Sequence, residues 1–139
     1  MTKQVMLVII IALIICLVPF ITYQEKIPYD YEVLNASCSY DCGGNPSDIL
    51  SAWCYPVYRV TIKNTDTEIA SYVVEFTVPN YTLEDDGVVA PGNKKTFEVR
   101  GGGMPGSWFV FNYTTENWSY KVIPGMKTTY KRVGSAIFQ

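Results

Sequence analysis

Polar and apolar positions along the chain follow two different patterns. Residues 5–23, VMLVIIIALIICLVPFITY, contain no charged side chain. At ~1.5 Å per helical residue they span roughly 28 Å, about the thickness of a bilayer's hydrocarbon core. The pattern predicts one N-terminal transmembrane α-helix within residues 1–24, with residues 25–139 on one side of the membrane. After residue 24 no helical periodicity is sustained, and apolar residues recur at every second position. Tyr58, Val60 and Ile62 share a face against Arg59, Thr61 and Lys63. Tyr72, Val74, Phe76 and Val78 stand opposite Glu75 and Thr77. Phe97 and Val99 alternate with Thr96, Glu98 and Arg100. Such alternation predicts half-buried strands.

Further strands are expected at 29–34, 108–114, 118–123 and 127–133. Turn residues fall between the runs: Asn64 to Asp66, Asp85-Asp86-Gly87, Pro91-Gly92, Gly101 to Gly103, Pro105-Gly106 and Pro124-Gly125. Seven or so short strands with a turn about every ten residues predict an all-β fold, an antiparallel β-sandwich whose two sheets share one core.

The runs YRVTIKNTDTEIASYVVEFTV and LEDDGVVAPGNKKTFEV resemble the immunoglobulin-like extracytoplasmic domains of prokaryotic surface proteins. The shared pattern is a strand ending in Lys-Asn-Thr, a turn, a long alternating strand, a Pro-Gly turn and a Lys-Thr-Phe strand. The flanking pieces IPYDYEVL and VIPGMKTTYKRV are similar to small membrane-anchored proteins of archaea. The likeness covers residues 56–100 well and the ends loosely, and residues 37–54 fall outside it. It implies an immunoglobulin-like sandwich that binds, spaces or scaffolds, and it carries over no catalytic residue.

The anchor is expected to stay on the chain. No Ala-x-Ala site follows the apolar run, Ala12-Leu13-Ile14-Ile15 before Cys16 is not a lipoprotein site, and no Gly or Ala follows the basic residue as in a pilin leader. Lys3 precedes the segment, while Glu25, Lys26 and Asp30 follow it. The slight positive bias puts the N-terminus in the cytoplasm and the domain outside the cell membrane.

Composition narrows the function. Aromatics make up 14% of the chain and charged residues 17%, at net charge -2, a profile that suits neither a disordered chain nor a nucleic-acid binder. There is no His, which removes the usual general base and both Ser-His and Cys-His nucleophile pairs. The chain is therefore not expected to be an enzyme, and no cofactor is implied. After Glu116 come Lys121, Lys127, Lys131 and Arg132 with no acid. These cations form either a solvated basic tail or a contact with anionic lipid or an acidic neighbour.

Cys38, Cys42 and Cys54 lie in CSYDCGGNPSDILSAWC. Outside the cell, thiols pair. One disulfide is expected from Cys54 to Cys38 or Cys42, with a lean to Cys38, leaving a spare thiol to stay reduced or bridge a second copy. Cys16 reads as an apolar packing residue. A three-thiolate copper or zinc site is the alternative, and it requires that no disulfide form. Four Asn-x-Ser/Thr sites, at Asn35, Asn80, Asn112 and Asn117, are glycosylation candidates. The glycine-rich stretch 101–106, with Met104 beside it, reads as a hairpin loop, and Glu84 to Gly87 as a polar turn without EF-hand spacing. Trp108, Phe109, Phe111, Trp118 and Tyr120 are candidate interface residues. The expectation is a non-catalytic accessory or structural subunit of a membrane or cell-surface assembly. Its partners would be the lipid bilayer and other surface subunits, including a second copy of the chain. An independent binding module for a glycan or ligand is the other class.

Overall fold

The computed structural model describes residues 2–45, 47, 53–79, 81–101 and 117–134. In chain order its elements are α1 (Lys3–Leu17), a 3-10 turn at Val18–Phe20, β1 (Thr22–Pro28), β2 (Tyr31–Gly43), β3 (Trp53–Asn64), β4 (Ala70–Val78), β5 (Tyr81–Val89), β6 (Lys94–Arg100), β7 (Ser119–Pro124) and β8 (Met126–Arg132). They divide into two compact units, residues 28–125 and residues 1–27 with 126–139.

The larger unit is a sandwich of antiparallel sheets, β2-β3-β6 and β5-β4-β7. The chain changes sheet between β3 and β4 and again between β5 and β6, so β6 returns to pair with β3. Alternation sends Tyr58, Val60 and Ile62 of β3, Ala70, Tyr72, Val74, Phe76 and Val78 of β4, and Phe97 and Val99 of β6 inward, where they form the buried core with Val89.

One edge of that core is polar. The Asn64 side chain is fully buried. Its amide donates to the carbonyls of Glu68 and Val89, both at 2.8 Å, and its oxygen accepts the Asp66 N–H at 2.8 Å. The Asp66 carboxylate accepts the N–H groups of Asp30, Thr67 and Glu68. Gly92, at φ +74°, closes the β5–β6 turn, and its N–H donates to the Asn64 carbonyl at 2.9 Å.

The smaller unit holds α1 and the two-stranded sheet β1-β8. α1 has no buried residue, no side-chain cap, no acid in its first turn and no base in its last. Gln24 donates to the Tyr130 hydroxyl at 3.2 Å, the Val133 N–H donates to the Ile21 carbonyl at 2.9 Å, and Lys131 pairs with Glu25.

Three sequence expectations need correction. The helix ends at Leu17 rather than running to residue 23. Pro19 has no N–H to continue the ladder, so the backbone tightens to a 3-10 turn, and β1 has begun by Thr22. With 15 residues, about 22 Å, α1 falls short of a bilayer core. Among the described residues no helix is long and apolar enough to cross a membrane. Second, β2 runs on to Gly43 instead of ending near Leu34. A bulge between Val33 and Asn35 switches the parity of its inward positions and hides the alternation. Third, Asp85-Asp86-Gly87 lies inside β5, opposite Val74, Val73 and Tyr72, rather than in a turn. The Asp85 carboxylate accepts the Glu98 N–H at 2.9 Å, and Lys95 donates to the Asp86 carbonyl across the bare Cα of Gly87.

Candidate functional site

The most developed constellation of polar and aromatic side chains lies on the outer face of β2-β3-β6. On β3, Tyr55 and Arg59 point away from the core because they alternate with Tyr58 and Val60. Register sets Asp41 of β2 opposite Tyr55, and Glu98 of β6 opposite Arg59. Arg59 Nε donates to Glu98 Oε2 at 2.7 Å and its Nη1 to Ser39 Oγ at 2.7 Å. The Tyr55 hydroxyl donates to Asp41 Oδ2 at 3.1 Å and accepts from Arg100 Nη1 at 2.9 Å. Arg100 also reaches Glu98 at 3.5 Å.

Three of these groups stack. The Trp53 and Tyr55 rings are parallel at 5.0 Å between centroids, and the Arg100 guanidinium lies 5.2 Å from the Tyr55 ring centroid. The indole reaches across the strand pair over Gly43, where any Cβ would collide with it. Trp53 is 42% exposed. Partial burial first, then the Asp41 carboxylate, push the Tyr55 phenol up, against the pull of Arg100. Arg59 and Arg100 balance Asp41 and Glu98, so this constellation carries no net charge, while Glu32, Lys63 and Lys94 follow further along the same face. With these acids and bases paired to one another, the constellation offers ring surface and hydrogen bonds. The individual ion pairs are exposed and contribute little to stability.

The disulfide joins Cys54 to Cys42, not to Cys38. Register explains the choice: Cys42 lies directly opposite Cys54 with Cα atoms 4.1 Å apart, whereas Cys38 faces Tyr58. Cys38 packs against the core as a free thiol. Burial pushes that thiol up, with Arg59 opposing. Two of the three sulfurs of the supposed thiolate cluster are thus joined to each other. No group of three or more metal-ligating side chains occurs among the described residues.

Asn35 is exposed on the outward side of β2 just past the bulge, and Asn117 is exposed ahead of β7. Trp118 packs on the core, its ring 5.4 Å from that of Tyr58, and Tyr120 stands 38% exposed at the rim. Asn80, Asn112, Trp108, Phe109, Phe111, Met104, Gly102, Gly103 and Gly106 lie outside the described residues. A shallow concavity on α1 is lined by Thr2, Gln4, Val5, Val8 and Ile9, with no acid, base or thiol among them.

Fold and face together define a disulfide-stapled β-sandwich with a polar, aromatic outer surface. No family model, curated protein or solved structure matches the chain. The stack escaped sequence reasoning because Arg100 lies far along the chain from Trp53. The available signal was the Trp-x-Tyr spacing of residues 53 and 55 on the approach to an alternating strand.

Proposed function

We propose that this protein is a non-catalytic accessory or structural subunit of a membrane or cell-surface assembly, held at the membrane by α1. The observation that carries the reading is α1 itself, which is apolar on every side and has no buried residue. Eleven large apolar side chains from Val5 to Leu17 are more than two-fifths exposed. At roughly 1.5–3 kcal/mol for full burial of each, leaving them in water forfeits on the order of 10 kcal/mol. That is comparable with the whole stability of a domain. A bilayer or the apolar helices of partner subunits would cover them. The sheet order β2-β3-β6 over β5-β4-β7 supports an immunoglobulin-like assignment, since such sandwiches place their strands this way. Exposure of Asn35 and Asn117 fits surface glycosylation.

The test is fractionation of native membranes in gentle detergent, followed by mass spectrometry of what co-purifies. Recovery in the membrane fraction with a reproducible set of subunits supports the reading, and a soluble monomer overturns it. The Trp53–Tyr55–Arg100 stack favours a second reading, a binding module for glycans, because an aromatic platform without net charge suits the apolar face of a sugar ring. That reading expects a monomer in detergent whose glycan binding is lost in Trp53→Ala.

A further inference from the structure

Resting on the reading of α1 as a membrane element, we propose that the β1-β8 ribbon is a binding surface for anionic phospholipid headgroups. Charge is sorted between the two units. In residues 1–27 and 126–139, Lys3, Lys26, Lys127, Lys131 and Arg132 stand against Glu25 alone, a formal surplus of four positive charges. In residues 28–125 twelve carboxylates stand against six cations, a surplus of six negative charges. A chain of net charge -2 thus concentrates its positive charge on the unit that carries the apolar helix.

Within that unit four of the five cations lie on the ribbon, two on each of its faces. Lys26, Lys127, Lys131 and Arg132 all lie on the ribbon, and Lys26, Lys131 and Arg132 are exposed. The Gln24–Tyr130 and Glu25–Lys131 contacts fix the two faces. By alternation, Lys26 and Arg132 share the Tyr130 face, while Lys127 shares the face of Lys131. Between helix and ribbon stand Phe20 and Ile21, with Tyr23 and Tyr130 on the strands, all exposed. Aromatic and aliphatic side chains beside cations match the headgroup layer, where rings sit at the interface and ammonium groups meet phosphate. An acidic protein would supply the charge but no apolar phase for the adjoining helix. A lipid surface supplies both, and two such signals together give firm attachment. The acidic sandwich gains nothing on balance from an anionic surface, so a preference for one points to the smaller unit, four of whose five cations are on the ribbon.

The test is a flotation competition of the full chain between phosphatidylcholine vesicles and vesicles of phosphatidylcholine with phosphatidylglycerol. Each basic residue near an anionic surface contributes roughly fivefold. The expected result is therefore at least about tenfold enrichment on the anionic vesicles at ~0.1 M salt, abolished at ~1 M. Lys26→Gln with Lys127→Gln and Arg132→Gln should remove the enrichment, with Lys131 kept to satisfy Glu25. Lys26→Arg with Lys127→Arg should retain it. The wild-type lipid and salt comparison decides the matter even if the glutamine variant misfolds. Equal flotation on both vesicles leaves α1 as an anchor and overturns the headgroup surface. Salt-sensitive capture by an acidic protein, without lipid preference, also overturns it. No flotation on either vesicle overturns the membrane reading together with this one.

Discussion

The amide of Asn64 is buried where β3 gives way to β4, and it binds two carbonyls and one N–H. Asn64→Ala would strand the Val89 carbonyl and the Asp66 N–H away from water and remove the donor of the part-buried Glu68 carbonyl. Unsatisfied buried groups cost about 1–3 kcal/mol each, partly recovered by relaxation, so a loss of about 2–4 kcal/mol is expected from urea midpoints. Gly43 tests a different constraint. A methyl at this position must push the Trp53 indole off its seat. Gly43→Ala should cost about 1–2 kcal/mol and weaken the near-ultraviolet circular dichroism of the Trp53–Tyr55 pair. Two groups at the core contribute to an alkaline limit, beside the Tyr55 phenol of the outer face. Burial raises the Cys38 thiol and the Tyr72 phenol, whose hydroxyl donates to the Asp30 carbonyl at 3.0 Å. In both the folded state holds its proton more tightly than the unfolded chain does. The unfolded state therefore binds fewer protons once pH passes the ordinary values of about 9 for the thiol and 10 for the phenol, and stability falls from there upward. Melting curves from pH 8 to 11 should show that decline, and Cys38→Ala with Tyr72→Phe should flatten it. A slope unchanged in the double variant would assign the decline to other groups.

At the scale of elements, the disulfide ties the far end of the β2–β3 hairpin across 12 residues of sequence separation. Closing a loop of this size contributes about 3 kcal/mol in the entropic account. Cys42→Ala with Cys54→Ala should lower stability by about that much. Hydrogen exchange should rise near Gly43 and Trp53 but stay slow from Val57 to Lys63, where β3 is also paired to β6. Loss of protection along all of β3 would show instead that the bridge holds the whole sheet. The same strands show which parts of the fold can be read from sequence. β4 is central, and its inward face is buried without interruption, so Tyr72, Val74, Phe76 and Val78 alternate cleanly. β2 is an outer strand in the described sheet with a bulge at Leu34, and one inserted residue is enough to reverse its parity. In β5 the Asp85 carboxylate takes a neighbouring N–H, so three turn-forming residues in a row belong to a strand. The candidate face is less legible still, because β2, β3 and β6 bring together residues 39 to 100, and only register makes Asp41, Tyr55 and Arg100 neighbours.

For the whole molecule the deciding question is what covers α1. Globular helices hide one stripe and wet the other, with caps and end charges to suit. α1 has no wet stripe, and it lacks the side-chain cap and the matched end charges. Its Ile10 and Ile14 lie one turn apart near the middle, at 45% and 55% exposure. If water were the working environment of the helix, Ile10→Arg with Ile14→Arg would be harmless or even favourable. If the helix lies against an apolar phase, each replacement forfeits about 1.5–3 kcal/mol of isoleucine burial. The pair should then reduce membrane retention by about two orders of magnitude or more in partition. The measurement is the fraction remaining with membranes after alkaline carbonate, compared between wild type and the double variant. Circular dichroism of the sandwich serves as the control for folding. Wild type retained and the variant released, with the sheet signal unchanged, would show that carbonate-resistant attachment needs α1. Equal retention of both would move the anchor elsewhere and leave the exposed helix as a contact for partner subunits.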